Sequence, residues 1–375
     1  MKIFLCYIVK SSEQFAAVLT HNVNCAPLIS IREEMMDSDK ITRQILRGSE
    51  KGGKTYEFDD GHDPKKPAQW WFQESDEGKI LFIVFYSMAC RYSKCLGCNL
   101  PSKMSKKHIP FDDIMDQIDY IFALPEVIEK KDIIDKVIVS NNGSVLDEDT
   151  FSSTALIYLI AVLNRNFKNL KKLAVETRPE YTDLEELEFI SRALKEGQAF
   201  TQLEICIGFE AFDDNIRNNV FFKGLAKEVF EDFVAKLSKY QFELKCYFML
   251  KPVPGMSDAE GVADIAAGID YLSEIAAKYN VSINMHLNPT YVATGTALVD
   301  SFEKGEYAPP RLQDLASAAL HSKNKDITVF LGLSDEGLAV DGGSFLNSDN
   351  EWMVEVLEEF NRTRNFDLLQ KVING

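Results

Sequence analysis

Residues 80–101 read ILFIVFYSMACRYSKCLGCNLP, an apolar, β-branched run that leads directly into three closely spaced cysteines. The apolar run has the length and composition of a buried strand. Cys90, Cys95 and Cys98 follow it with the spacing C-x4-C-x2-C. Because thiolates are the usual ligands of iron–sulfur clusters, this loop can bring three sulfurs to one cluster. The segment therefore predicts a strand with a metal site in the loop at its carboxyl end.

The same strand signal recurs along the rest of the chain, where apolar runs alternate with stretches of helical periodicity. The strand candidates are residues 80–86, 136–140, 172–177, 203–209, 244–250, 281–287 and 327–332, and the helix candidates are residues 111–122, 151–165, 183–195, 226–240, 258–278 and 311–322. This alternation predicts βαβ units and a full or partial (β/α) barrel. The alternative is a doubly wound open sheet, but no G-x-G-x-x-G turn follows the first strand.

The predicted fold is α/β, a partial (β/α)6-type, TIM-like barrel with an extension at each end. We assign residues 76–325 to the barrel, residues 1–75 to an N-terminal extension and residues 326–375 to a C-terminal strand and helix extension. Residues 48–69 are rich in Gly, Lys, Asp and Pro, which is typical of a loop or hairpin. Residues 1–9 are apolar over a short stretch without a nearby cleavage site, so they predict a strand rather than a signal peptide.

Net charge, the lengths of apolar runs and the cysteine count limit the classes of function that this chain can have. Lys and Arg number 41 against 58 Asp and Glu, so the formal net charge is −17. Such a chain repels phosphate backbones unless a local basic patch or a partner subunit intervenes. No run of about 18 apolar residues predicts a membrane span. The seven cysteines are odd in number with one tight cluster, which indicates a reducing cytoplasm rather than a disulfide framework.

Three other readings of the cysteine loop stay open at this point. In the first, the cysteines bind zinc, with His108 as the fourth ligand. In the second, they bind an electron-transfer cluster, with Cys206 or Cys246 as the fourth ligand. In the third, they are three unrelated buried thiols without a metal. Their position directly after the first barrel strand favours a catalytic cluster, because barrel active sites lie in loops at that end. Three ligands also leave one iron of a cubane cluster open to a cofactor or substrate.

Several later strands carry polar residues on one face, since side chains alternate along a strand. The residues that share this face are Ala174, Glu176 and Arg178 in one strand, Glu204, Cys206, Gly208 and Glu210 in the next, and Ser282, Asn284, His286 and Asn288 in a third. The opposite, apolar face should pack on the helices, so the polar face should point into the barrel. Barrel interiors are normally filled with apolar side chains, and buried charges need partners. Polar residues at inward positions of several strands therefore predict a polar ligand inside the barrel. The alternative is a structural salt-bridge network, for instance between Arg178 and Glu176 or Glu210.

Four segments together resemble radical S-adenosylmethionine (SAM) enzymes, and within them the branch of the Elongator catalytic subunit. They are the cysteine loop, VETRPEY at residues 175–181 (the E-[ST]-R-P-[DE] motif), LEICIGFE at residues 203–210, and NPTYV at residues 288–292. The stretch SNNGSVLD at residues 140–147 and the pair Lys251–Pro252 are most similar to the archaeosine-biosynthesis radical SAM subgroup. The resemblance covers roughly residues 80–320. It departs at Gly97, where the family often has an aromatic residue for adenine, and at Asn141–Gly143, which replace a Gly-Gly-Glu motif.

The resemblance implies a [4Fe–4S] cluster on Cys90, Cys95 and Cys98, and SAM as second cofactor. Its site residues would be Arg178 on the SAM carboxylate, Asn141 and Asn142 on its amino group, Glu176 or Glu210 on the ribose hydroxyls or amino group, and Asn288 near adenine. Tyr92 or Leu96 would replace the missing aromatic contact. Lys251 and His286 are the candidates for catalysis and substrate binding. Their alternatives are a solvated lysine before a proline turn and a satisfied core histidine.

The implied reaction is reductive cleavage of SAM to a 5′-deoxyadenosyl radical, which abstracts a substrate hydrogen in the synthesis of a modified tRNA nucleoside (a deazaguanine). A ferredoxin- or flavodoxin-type reductant and a partner subunit that delivers tRNA are the implied partners. One alternative is a radical SAM enzyme for a small metabolite or peptide, which the net charge favours. Another is a non-catalytic metal-binding protein.

Overall fold

One eight-stranded sheet organises residues 38–375, the part of the chain that the computed structural model describes. The strands are β1 (Gln69–Ser75), β2 (Gly78–Val84), β3 (Ile134–Ser140), β4 (Lys172–Thr177), β5 (Gln202–Glu210), β6 (Glu243–Leu250), β7 (Ile283–Pro289) and β8 (Thr328–Leu331). They are ordered as in the sequence, with β1 antiparallel to β2 and every later pair parallel. A doubly wound sheet would reverse its strand order, so the predicted α/β partial barrel is confirmed.

Eleven helices of the described residues surround or flank this sheet. They are α1 (Ser38–Lys51), α2 (Phe111–Ala123), α3 (Pro125–Lys130), α4 (Ser153–Asn166), α5 (Leu184–Leu194), α6 (Lys227–Ser238), α7 (Asp258–Tyr279), α8 (Leu298–Glu303), α9 (Leu312–Leu320), α10 (Glu351–Thr363) and α11 (Phe366–Asn374). All seven predicted strands and all six predicted helices have counterparts. No helix in residues 38–375 is both long and apolar enough to cross a bilayer. The strand predicted at residues 1–9, with Cys6 and Cys25, lies outside the described residues.

Strand β5 shows why the sheet has two different faces. Leu203, Ile205, Ile207 and Phe209 are at most 2% exposed and belong to the apolar core that packs on the helices. Burying an aliphatic or aromatic side chain of this size contributes about 1.5–3 kcal/mol. The alternate residues therefore point into the barrel, as their polarity predicts.

A network of charged side chains closes the barrel at the amino ends of the strands. The Lys136 ammonium lies 2.5 Å from Glu204 and 2.8 Å from Glu77. Lys172 lies 2.5 Å from both Glu77 and Glu243. Burial opposes ionisation of Glu77, but the neighbouring lysines hold its pKa well below the usual range. At this end, one of the predicted inward residues, Glu204, belongs to a structural salt-bridge network.

The last helices join the two edges of the sheet. The Asn361 side chain accepts a hydrogen bond from the Leu331 amide and donates one to the Leu331 carbonyl, both at 2.8 Å. The Asp76 amide, in the turn after β1, donates to the Asn361 carbonyl at 2.9 Å. Helix α10 thereby satisfies the exposed backbone of edge strand β8 and holds it to the β1–β2 hairpin. Strand β1, which lies within the predicted N-terminal extension, is thus part of the sheet.

Candidate active site

A cavity of about 1270 Å³ extends from the β1–β2 hairpin to the carboxyl ends of the strands. Most of the predicted site residues line it: Cys90, Cys95, Cys98, Asn142, Glu176, Arg178, Glu210, His286 and Asn288. Two do not, namely Asn141 and Lys251. The loops after successive parallel strands meet at this end of the sheet, which is why residues so distant in sequence come together.

The cysteine loop contributes three free, half-buried thiols to this cavity. Burial raises the pKa of Cys98 to about 12, although Lys54 opposes the shift. Burial likewise raises the pKa of Cys95, against the effect of Lys223 and Arg178. Cys95 and Cys98 therefore favour the neutral thiol form unless a cationic metal centre binds them.

The spacing of these sulfurs disfavours a preformed zinc site. In residues 38–375, the only three His, Cys, Asp or Glu side chains with ligand atoms all within 4.8 Å of one another are Glu77, Glu204 and Glu243. The cysteine sulfurs are thus more widely spread than a tetrahedral site with Zn–S bonds of about 2.3 Å requires. A larger, cluster-sized group suits them better, and His108 does not line the cavity.

Lys54 holds the cysteine loop from outside the barrel, and the sequence did not reveal this. Its ammonium donates hydrogen bonds to the carbonyl oxygens of Cys95, Leu96 and Cys98 at 2.5, 2.8 and 2.8 Å. Burial lowers the pKa of Lys54, while the nearby cysteine sulfurs Cys98 and Cys95 oppose this. A cation therefore lies beside the backbone that carries two of the three sulfur ligands, Cys95 and Cys98.

The loop after β3 presses against the first cysteine. Asn142 has a left-handed backbone with φ 55°, which asparagine tolerates. A Cβ atom on Gly143 would lie 3.1 Å from Cα of Cys90, so a larger residue here would have to push the Cys90 backbone back by a few tenths of an ångström. Asn141 is fully buried and donates to Ser87 Oγ at 3.1 Å, while its Oδ1 has no hydrogen-bond partner. Of the two predicted asparagines, Asn142 therefore lines the cavity, whereas Asn141 is buried behind the residues that line it.

Arg178 lies beside the cysteine loop in a nearly enclosed position. Its Nε contacts Glu180 at 2.5 Å, its Nη2 donates to the Lys223 carbonyl at 2.9 Å, and its guanidinium stacks 3.9 Å from the Tyr92 ring. The remaining nitrogen, Nη1, makes none of these contacts. Lys223 lies 2.8 Å from Glu210. Burial disfavours the charge of Lys223, but Glu210 and Cys95 raise its pKa above the usual value.

The opposite wall of the cavity is acidic and aromatic. The Tyr247 hydroxyl donates to Glu176 at 2.5 Å. Burial raises the pKa of Glu176, and burial with the nearby Glu176 and Asp335 raises the pKa of Glu336 to about 7. Glu336 remains accessible to water because it projects into the open cavity. Burial and two lysines lower the pKa of His286 far below its usual value, so this imidazole is neutral.

Two further predicted positions have clear surroundings. Lys251 is buried, and its ammonium pairs with Asp258 at 2.7 Å. In this structure its side chain is therefore neither solvated nor unpaired and available to a substrate. At Gly97, an added Cβ atom would meet no atom within 4 Å, so the glycine leaves open space in the wall. Leu96 packs instead on the apolar cluster of Phe221, Val253 and Met256.

Comparison with known proteins supports the resemblance that the sequence motifs predict, although no family model matches the chain. It is 28% identical over 248 residues to archaeosine synthase subunit beta of Methanosarcina acetivorans, covering 65% of this chain and 67% of that protein. The Thermococcus kodakarensis protein of the same name is 24% identical, covering 68% of this chain and 77% of its own length. The predicted resemblance is confirmed. The prediction of an enzyme is confirmed with it. An uncharacterised protein of Methanocaldococcus jannaschii is 26% identical over 320 residues, covering 82% of this chain and 84% of its own.

Solved structures include the Elongator protein Elp3 of Methanocaldococcus infernus, with 16% identity and a TM-score of 0.40. The match covers 59% of this chain and 51% of that one. Streptococcus suis SuiB bound to S-adenosylmethionine has 10% identity and a TM-score of 0.42, covering 67% of this chain and 50% of that one. The chain thus spans about half the length of these two proteins.

Proposed function

We propose that this chain is a radical SAM enzyme that acts on a modified nucleoside of tRNA, together with a second subunit. The observation that carries the enzyme class is the convergence of three free thiols with Arg178 and Glu176 in one cavity. The substrate class rests on the two relatives named archaeosine synthase subunit beta. That name describes a subunit, which supports a partner protein. Free thiols and a low-potential centre suit the reducing cytoplasm and a ferredoxin- or flavodoxin-type reductant.

The residues present fit a cluster and SAM. Three soft thiol donors line one wall, which is the donor set of an iron–sulfur centre. Near them, buried polar atoms without a partner include Asn99 Oδ1 and Thr290 Oγ1, and Thr290 lines the cavity. When bound, the cluster and SAM supply hydrogen-atom abstraction through one-electron reductive cleavage of SAM.

The chain's own residues have positioning and shielding roles. Arg178 would offer its Nη1 to a carboxylate, since its other nitrogens are fixed by Glu180 and the Lys223 carbonyl. Glu176, held by Tyr247, would accept an ammonium group or a hydroxyl, and a bound cation would offset the burial that raises its pKa. Neutral His286 and the neighbouring Asn288 would offer uncharged hydrogen bonds deeper in the cavity.

Anaerobic reconstitution with iron and sulfide, followed by dithionite and SAM, tests the enzyme class. We expect about four irons per chain and release of 5′-deoxyadenosine and methionine. Cys90→Ser, Cys95→Ser and Cys98→Ser should each abolish both, whereas Cys246→Ala, a buried core cysteine, should retain them. A zinc-loaded protein that leaves SAM intact would contradict the proposal and favour a non-catalytic metal-binding protein.

The substrate class needs a separate measurement. In a strain without this gene, mass spectrometry of tRNA nucleosides should show loss of one modified nucleoside and accumulation of its precursor. The net charge of −17 favours a small metabolite or peptide instead. Unchanged tRNA nucleosides, combined with active SAM cleavage, would leave that alternative as the function.

A further inference from the structure

A basic groove, separate from the reaction cavity, lies between α1 and the cysteine loop. It has a volume of about 340 Å³ and is lined by Lys40, Arg43, Gln44, Arg47, Gly48, Lys51, Arg91, Tyr92 and Lys94. Six of these nine residues are Lys or Arg, and none is acidic. In a chain of net charge −17, such a concentration of positive charge is a local exception. A patch of this kind is the electrostatic footprint of a polyanion site.

Helix α1 provides one wall of this groove. Arg43, Arg47 and Lys51 are spaced by four residues and therefore lie on one face of the helix. The helix packs directly on the cysteine loop, because Cβ atoms on Gly48 and Gly52 would lie 2.5 and 2.9 Å from the Tyr92 and Lys94 carbonyl oxygens. The groove is thus a fixed feature that the two segments form together.

The cations of the groove are not all neutralised. Arg91 pairs with Asp147 and Asp149, so we count no free charge for it. Within the described part of the chain, Arg47, Lys51 and Lys94 have no carboxylate within 4.0 Å. Arg47 and Lys51 are exposed, whereas Lys94 lies 4.8 Å from the centre of the Tyr92 ring. Three cations are therefore available to a row of phosphates.

Tyr92 connects this groove to the reaction cavity. Its ring lines the groove and also stacks 3.9 Å from the guanidinium of Arg178, which lines the cavity. Its hydroxyl donates to the Phe222 carbonyl at 2.5 Å, which fixes the ring as a partition. A polymer bound in the groove would therefore lie one aromatic ring away from the candidate active site.

We propose that the groove between α1 and the cysteine loop binds the phosphate backbone of the RNA substrate while one nucleotide enters the cavity. This inference rests on the proposed function for the identity of the polymer. Charge favours RNA over an acidic protein, because a row of cations four residues apart on one helix suits evenly spaced phosphates. Enzymes that act on a base extrude it from its stack, which a backbone anchor beside the cavity would assist.

The test is a salt titration of bulk tRNA binding to the reconstituted full-length protein, followed by fluorescence anisotropy. The double variant Arg47→Gln/Lys51→Gln removes two proposed phosphate contacts. We expect the slope of log affinity against log salt to fall by about 1.5–2, with a loss of affinity of about tenfold or more near 100 mM salt. The matched control, Lys323→Gln/Lys371→Gln, changes the net charge equally on exposed residues elsewhere and should bind within twofold of wild type.

Equal losses in both double variants, or no loss in either, would overturn the groove as the RNA site. So would polyglutamate binding as tight and as sensitive to Arg47→Gln/Lys51→Gln as tRNA binding, since this would indicate an acidic protein partner. RNA-independent SAM cleavage by the wild-type protein is measured in parallel. Active cleavage without tRNA binding defeats this inference alone, whereas groove-dependent binding without cleavage defeats the proposed function alone.

Discussion

The ammonium of Lys54 lies 2.8 Å from the carbonyl oxygen of Cys98, and it also contacts the carbonyl oxygens of Cys95 and Leu96. One ammonium group thereby binds three carbonyl oxygens of the cysteine loop. These bonds fix the curvature of the segment that carries two of the three thiols. The positive charge also lies close enough to Cys98 to influence its ionisation.

Removing this charge should weaken retention of the metal centre. We expect Lys54→Met to lose iron to a chelator about tenfold faster than wild type, because residues that orient ligands typically affect metal affinity by about 10–100-fold. The reduction potential should also fall, since a nearby cation favours the more negative, reduced state. Iron release and a redox titration followed by electron paramagnetic resonance measure both effects. Lys103→Met, on the same loop system, is the control, and equal behaviour of the two variants would contradict the role of Lys54.

Two glycines of the cavity wall provide a matched steric test. A Cβ atom at Gly143 would lie 3.1 Å from Cα and 3.2 Å from Cβ of Cys90, whereas one at Gly97 would meet nothing within 4 Å. We expect Gly143→Ala to push the β3 loop away from the cysteine loop, with reduced iron content and a stability loss of about 1–3 kcal/mol. Gly97→Ala should retain both. Iron-to-protein ratios and thermal unfolding measure the difference, and normal iron content in Gly143→Ala would show that the loops move apart without consequence.

The sequence predicted the barrel well because buried parallel strands are continuous apolar runs with clear ends. Strand β1 was missed for the complementary reason. Its residues QWWFQES are mostly half exposed, and as an antiparallel edge strand it carries glutamine and glutamate among its aromatic residues. The cysteine loop was found because its three ligands lie within nine residues of one another. Local patterns were therefore sufficient wherever the determining contacts were local.

The missed residues act through contacts that no local pattern encodes. Lys54 is 41–44 residues from the carbonyls it binds, and Lys223 is 45 residues from Arg178, which its carbonyl orients. Lys251 shows the opposite problem. The family resemblance suggested a substrate contact for Lys251, and its position before Pro252 suggested a solvated side chain, but only the fold brings Asp258 to its ammonium. The role of a single polar residue depends on its neighbours in the folded structure, and the sequence alone does not identify those neighbours.

Arg178 should be required for SAM affinity. Arg178→Lys keeps a positive charge but loses the planar fork that contacts Glu180, the Lys223 carbonyl and the Tyr92 ring. Hydrogen bonds to charged groups contribute about 1.5–3 kcal/mol, so we expect the dissociation constant for SAM to rise about 10–100-fold. Isothermal titration calorimetry on reconstituted, iron-loaded protein measures it. Arg192→Lys, on the exposed side of α5, is the control, and a change of less than twofold in Arg178→Lys would count against the assignment.

Asp147 should make stability depend on pH. Burial raises the pKa of Asp147 from 3.8 to about 6, and Asp149 adds to this, although Arg91 at 2.7 Å opposes it. The folded state thus holds this proton more tightly than the unfolded state, so the free energy of unfolding falls as pH rises from about 4 through 6. Asp147→Asn lacks this titration. We expect its stability relative to wild type to improve by about 2 kcal/mol between pH 4.5 and pH 7.5, whatever the constant cost of losing the Arg91 pair. Urea unfolding at a series of pH values measures the difference, and parallel pH profiles of the two proteins would show that Asp147 ionises normally in the fold.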